Sequence, residues 1–141
     1  MASWRELATD NLRAARLLQA EHPRSSVSRA YYATYALCCQ LFERYGVRKT
    51  IHPAAKVLWY SHDGLKPNLT ALPRTWEDFG EQLVPIEMLT EVADLVERLQ
   101  EARVDADYYP AVPFTEEDAK NIWRDAETIA QILGPLAEGL K

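Results

Sequence analysis

The sequence predicts an all-α fold: an up-and-down four-helix bundle with additional short helices. Three observations predict it. Apolar residues recur at steps of three and four through four long stretches, no segment sustains an apolar alternation of period two, and the connections between the stretches are short enough to favour antiparallel neighbours. The chain has 141 residues, of which 48% are hydrophobic and 26% charged. That is the size of one domain with one core and the composition of neither a disordered segment nor a membrane protein.

The first helix is expected between Ser3 and Glu21, where Trp4, Leu7, Ala8, Ala14, Ala15 and Leu18 form the apolar stripe. His22-Pro23 ends it, because the residue before proline leaves the α region. The second begins at Arg24 to Ser26. It carries Val27, Tyr31, Tyr35, Cys38, Phe42 and Tyr45 on one stripe and Ala30, Ala33, Leu37 and Leu41 on the next, the wide apolar face of a central helix. Gly46 is its expected stop, followed by a basic loop from Val47 to His52. A short helix is expected from Pro53 to about Ser61.

Residues 62–84 are read as an irregular insertion, broken by Gly64, Pro67, Pro73 and Gly80, with a turn or two of helix around Trp76 and Phe79 between Arg74 and Gln82. A long helix follows from Pro85 or Ile86, with Leu89, Val92, Val96, Leu99, Ala102 and Ala106 in phase, until Pro110 and Pro113 intervene. The last helix has Thr115 as N-cap, acidic Glu116, Glu117 and Asp118 in its first turn, and an end weakened by Gly134-Pro135.

Several function classes are excluded early. There is no Gly-x-Gly or Gly-x-x-x-x-Gly-Lys run, so the phosphate-cradling loops of dinucleotide and nucleoside-triphosphate enzymes are absent. The cysteines are the neighbours Cys38 and Cys39, whose side chains diverge on a helix and close no loop. No run of about 18 apolar residues exists, and the first residues lack the basic-then-apolar character of a signal peptide. A cytoplasmic protein without a membrane contact is expected. Charge is uneven: nine Lys+Arg against four Asp+Glu through Lys56, then seven against seventeen. The basic part can attract phosphate, whereas the net charge of −5 opposes tight nonspecific duplex binding.

The run Ser25-Ser26-Val27-Ser28-Arg29-Ala30-Tyr31-Tyr32-Ala33, the basic stretch ending in His52, and Glu101-Ala102-Arg103-Val104-Asp105-Ala106-Asp107-Tyr108 occur in that order. Together they resemble the HEPN (higher eukaryote and prokaryote nucleotide-binding) family, in particular its small prokaryotic branch. The resemblance covers nearly the whole chain, which is read as a single domain over 1–141. It implies a helical bundle that forms a homodimer with a cleft at the interface. It also implies a place in toxin–antitoxin or defence systems, a nucleotidyltransferase partner, and RNA or a nucleotide as ligand. Many members of the family are metal-independent ribonucleases with an Arg-x4–6-His signature near the end of the long helix. Here the positions five to seven residues after Arg103 are Tyr108, Tyr109 and Pro110, so the histidine is missing. Arg16 and His22 match the spacing but lie at the end of the first helix, outside the family's site.

The candidate nucleotide- or RNA-binding residues are Arg103, Asp107, Tyr108, Arg29, Tyr32 and His52. Arg103 and Asp107 share a helix face, and either pair with each other or leave the guanidinium free for phosphate. Arg29 sits in an otherwise apolar helix and is expected to tether it to the long helix through Glu101, Asp105 or Asp107. Tyr31, Tyr32 and Tyr35 are read chiefly as core, with Tyr32 the least inward-facing. His52 is read as a solvated histidine of the basic loop. Tyr108 and Tyr109 are candidates for covalent modification by a partner nucleotidyltransferase, as the resemblance implies. His22, His52 and His62 are scattered with no carboxylate spacing between them, so neither a metal nor a cofactor is expected.

Overall fold

A computed structural model describes residues 3–78 and 84–138; of residues 75–78 only the backbone is described. The architecture is the expected all-α bundle, built from α1 (Trp4–Leu18), α2 (Pro23–Arg44), α3 (Leu65–Asp78), α4 (Ile86–Tyr108) and α5 (Glu116–Glu138). α2 is the centre, packed against α1, α4 and α5, and α3 lies against α4. None of the described helices is long and apolar enough to cross a membrane.

Helix boundaries follow local chemistry. Ser3 caps α1 by accepting the Glu6 N–H on its hydroxyl at 3.1 Å. α2 opens on Pro23, whose missing N–H costs nothing in a first turn. It closes where Gly46 takes φ +67°, letting Val47 N–H reach Phe42 C=O at 2.9 Å and Gly46 N–H reach Glu43 C=O at 3.3 Å. Only glycine adopts that conformation without penalty. Gly46→Ala is therefore expected to lower stability by about 1 kcal/mol, measurable as a shifted urea midpoint at unchanged slope.

The core gathers the stripes read from the sequence. Val27, Ala30, Tyr31, Leu37, Cys38, Leu41 and Phe42 of α2 meet Leu89, Val92, Val96 and Leu99 of α4 and Ala126, Ile129 and Leu133 of α5, all buried. Both thiols are free and buried; burial pushes Cys39 up to about 12 and Cys38 further, so neither is a ready nucleophile.

Three expectations are corrected. The helix expected from Pro53 to Ser61 is instead a two-strand antiparallel hairpin, Thr50–Ile51 (β1) with Leu58–Trp59 (β2). Its turn is organised by His52, whose Nδ1 accepts the N–H groups of Ala54 and Ala55, while Lys56 takes φ 57°. A side-chain acceptor at the right place competes with helix in a segment too short to nucleate one. The same hairpin overturns the expectation of no strands.

Residues 62–84 are not irregular over their first part. His62–Gly64 form a 3₁₀ turn that leads straight into α3, whose Leu65, Leu69 and Leu72 are fully buried. That stripe outweighs Pro67, harmless in the first turn, and Pro73, tolerated inside the helix. The helical turns expected between Arg74 and Gln82 are matched as far as Asp78; the remainder lies outside the described residues. α5 also runs through Gly134-Pro135 to Glu138, where the sequence suggested a weakened end.

Candidate functional site

Most of α4 alternates buried aliphatic residues with exposed charges, and then breaks that pattern once. Arg103 stands in phase with Val92, Val96 and Leu99 and is only 7% exposed. A buried guanidinium brings five N–H donors that must be matched or costs stability. Arg103 is poorly matched. Its nearest carboxylate, Asp107, stands at 3.7 Å, beyond a direct hydrogen bond, and its Nε meets no acceptor among the described residues.

What surrounds the cation instead is aromatic. Its Cζ lies 5.1 Å from the Tyr31 ring centre, 5.6 Å from Tyr32 and 6.0 Å from Tyr108. Ring faces attract a cation without consuming its N–H directions. The rings differ in access: Tyr31 is fully buried, Tyr32 is 36% exposed and Tyr108 66% exposed. α2 supplies the first two as neighbours on one helix, and the last residue of α4 supplies the third.

A histidine completes the cluster. His62, half-buried in the 3₁₀ turn, places Nδ1 2.5 Å from the Tyr31 hydroxyl. Its ring lies 4.5 Å from Tyr35, 5.7 Å from Trp59 and 6.3 Å from Tyr32, centre to centre. Burial first, and the Arg103 charge second, hold its pKa below the ordinary value near 6.5, against a smaller opposing pull from Asp63. The unfolded chain therefore binds the His62 proton more readily than the folded one. Stability from this group is complete above about pH 6.5 and falls as pH drops towards the folded value. Urea midpoints between pH 5 and 8 are expected to show that fall, and His62→Gln to flatten it. Tyr31 moves the other way: burial drives its hydroxyl far above the usual tyrosine range, with Arg103 only partly opposing.

Beside the cluster, Tyr32 and Asp107 line a groove of about 890 Å³ together with His22, Ser25, Ser28 and Arg29. On the other flank of α4 a groove of about 690 Å³ holds Asp63, Lys66, Glu97, Glu101 and Asp105. Lys66 is already paired with Asp94 and Glu97, so that side repels anions.

Four of the sequence candidates thus meet: Arg103, Asp107, Tyr32 and Tyr108. The choice between an Arg103–Asp107 pair and a free guanidinium resolves into a loose contact that leaves donors over. Arg29 reaches the groove wall but is corrected in role. It is exposed and donates to Asn11 Oδ1 of α1 at 3.1 Å, not to Glu101, Asp105 or Asp107. Its position on α2 faces α1, which the apolar pattern alone did not distinguish.

The tether between α2 and α4 is Arg24. Its Nη1 donates to the carbonyls of Asp105 and Ala106, and its Nη2 to those of Tyr109, Pro110 and Val112, with its Cζ 5.3 Å from the Phe114 ring centre. His52 is not in the cluster; it is half-buried, caps the hairpin turn and packs on Trp59 at 4.4 Å between ring centres. Tyr109 follows Tyr108 with its side chain 56% exposed. His62 and Arg24 escaped the sequence reading. For His62 the signal was the aromatic run Trp59-Tyr60 just before it; for Arg24, its place in the first turn of a helix, where a carbonyl-seeking cation is out of keeping with the dipole.

The molecule is a helical-bundle domain that carries, near the end of α4, a buried arginine beside Tyr31, Tyr32 and Tyr108. The HEPN domain model matches residues 1–136, and the chain belongs to the HEPN family. No curated protein and no solved structure matches the chain.

Proposed function

We propose that the chain is a nucleotide- or RNA-interacting HEPN module of a prokaryotic toxin–antitoxin or defence system, acting as a homodimer and binding rather than cleaving its ligand. One observation carries this reading: the Arg103 guanidinium is buried with Nε unmatched, beside exposed tyrosine faces and an open groove. Nε itself is closed to solvent, so a phosphate oxygen would accept from the other N–H groups of the guanidinium, and Tyr32 or Tyr108 supplies a face for a base. Family membership supports a nucleotide- or RNA-related role. The absence of the Arg-x4–6-His pair after Arg103 favours binding over hydrolysis.

The test is binding of AMP and of a short single-stranded RNA by the purified protein, with RNA integrity followed in EDTA. Saturable binding without cleavage is expected. Cleavage that survives EDTA and disappears in Arg103→Ala would instead make the protein a ribonuclease with a non-standard site.

The exposure of Tyr108 and Tyr109 favours a second reading, in which a partner nucleotidyltransferase modifies one of them. The tyrosine oxygen would attack the α-phosphate of ATP, with pyrophosphate leaving and the phenolic proton passing to solvent. Intact mass after incubation with such a transferase and ATP is expected to rise by one AMP and to stay unchanged in the Tyr108→Phe, Tyr109→Phe double variant.

A further inference from the structure

His62 and Arg103 come from different parts of the chain and rest against the same two rings, Tyr31 and Tyr32. Their link is the Tyr31 hydroxyl. A phenol has one proton to give and lone pairs to receive. Arg103, a donor only, lies 5.1 Å from the Tyr31 ring centre and cannot take that proton. The proton then needs an acceptor, and His62 Nδ1 at 2.5 Å is the one present. An imidazole that accepts at Nδ1 and is neutral carries its hydrogen on Nε2, and Nε2 has no partner among the described residues.

Resting on the nucleotide-binding reading above, we propose that His62 is a second ligand-contacting residue of the Arg103 site, held by Tyr31 as the Nε2–H tautomer so that it donates a hydrogen bond to a phosphate oxygen of a bound nucleotide. The charged groups facing it are Arg103 from α4 and the adjoining Asp63, with Tyr31, Tyr32 and Tyr35 from α2; burial and Arg103 keep the ring neutral. A neutral ring with its proton on Nε2 is a donor there and not a base. The relay that orients His62 thus withholds the group a 2′-hydroxyl attack would need.

The probes are AMP and inorganic phosphate, with the full chain labelled with ¹⁵N at histidine. At pH 7.5 the His62 spectrum is expected to show bare Nδ1 and protonated Nε2, with or without ligand. His62→Ala is expected to weaken AMP binding roughly tenfold or more, the loss of one hydrogen bond to a charged acceptor. His62→Gln, whose amide nitrogen can stand where Nε2 stood, is expected to keep AMP affinity within a few-fold, a rescue that neither a general base nor a packing role would give. Tyr31→Phe is expected to mix the tautomers; should that buried change prevent folding, the two His62 variants still decide.

A bare Nε2 in the parent protein, or His62→Ala binding AMP as tightly as the parent, overturns the role of His62 while Arg103→Ala still abolishes binding. Absence of AMP and phosphate binding in the parent overturns the nucleotide reading, and this inference with it.

Discussion

Arg103→Met is expected to weaken AMP binding about a hundredfold while leaving the fold as stable as before, or more stable by up to about 2 kcal/mol. The two halves of that expectation have one cause. A buried guanidinium gives up its hydration, and here it recovers only a carboxylate at 3.7 Å and three ring faces, with Nε unmatched. Methionine fills a similar volume, keeps the sulfur close to the same rings and leaves no donor unmatched. The attraction between the cation and each ring is worth about 1 kcal/mol at most in this half-open setting, and forgoing it limits the gain. Urea midpoints alongside AMP titration measure both halves. A loss of more than about 2 kcal/mol would mean that Arg103 is held as a structural tether, and the binding argument would fail.

Arg24→Met is expected to behave in the opposite way, destabilising the protein by about 3 kcal/mol. Arg24 serves five backbone carbonyls across the end of α4 and the loop to α5. Those of Asp105 and Ala106 belong to the last turn, where a cation is favoured; the Asp105 carbonyl accepts the Tyr109 N–H as well. Several of these oxygens are reached by water once the arginine is gone, so the loss stays below the sum of five charged hydrogen bonds. Arg24→Lys should recover less than half of it, since a single ammonium cannot span the set that a planar fork reaches. Amide exchange is expected to accelerate from Tyr109 to Thr115 before it does elsewhere. Unchanged stability in Arg24→Met would show that water replaces the guanidinium without cost.

The contrast between the two arginines marks where sequence reading stops. Periodicity named the stripes of α1, α2, α4 and α5 because a helix repeats its core face every three to four residues, a property of the chain alone. The run from Glu101 to Tyr108 also singled out Arg103. Proline and glycine taken as punctuation misjudged the hairpin around His52, where a side-chain acceptor in the turn overrode the helix suggested by Pro53, and misjudged α3, where Leu65, Leu69 and Leu72 overrode the prolines. In both places tertiary or side-chain contacts outweigh the local preference of a proline.

By itself, then, the sequence determined an all-α chain, the faces its long helices bury, the family resemblance and the lack of a histidine after Arg103. Only the tertiary structure decided which cation is satisfied and which is left wanting an acceptor. Arg24, Arg29 and Arg103 are chemically alike, and their difference lies in partners 81 residues away, 18 residues away and, for the Nε of Arg103, absent among the described residues. The same holds for His62, brought to Tyr31 across 31 residues of chain. Local spacing governs which face of a helix a residue occupies; what stands opposite that face depends on how the helices pack.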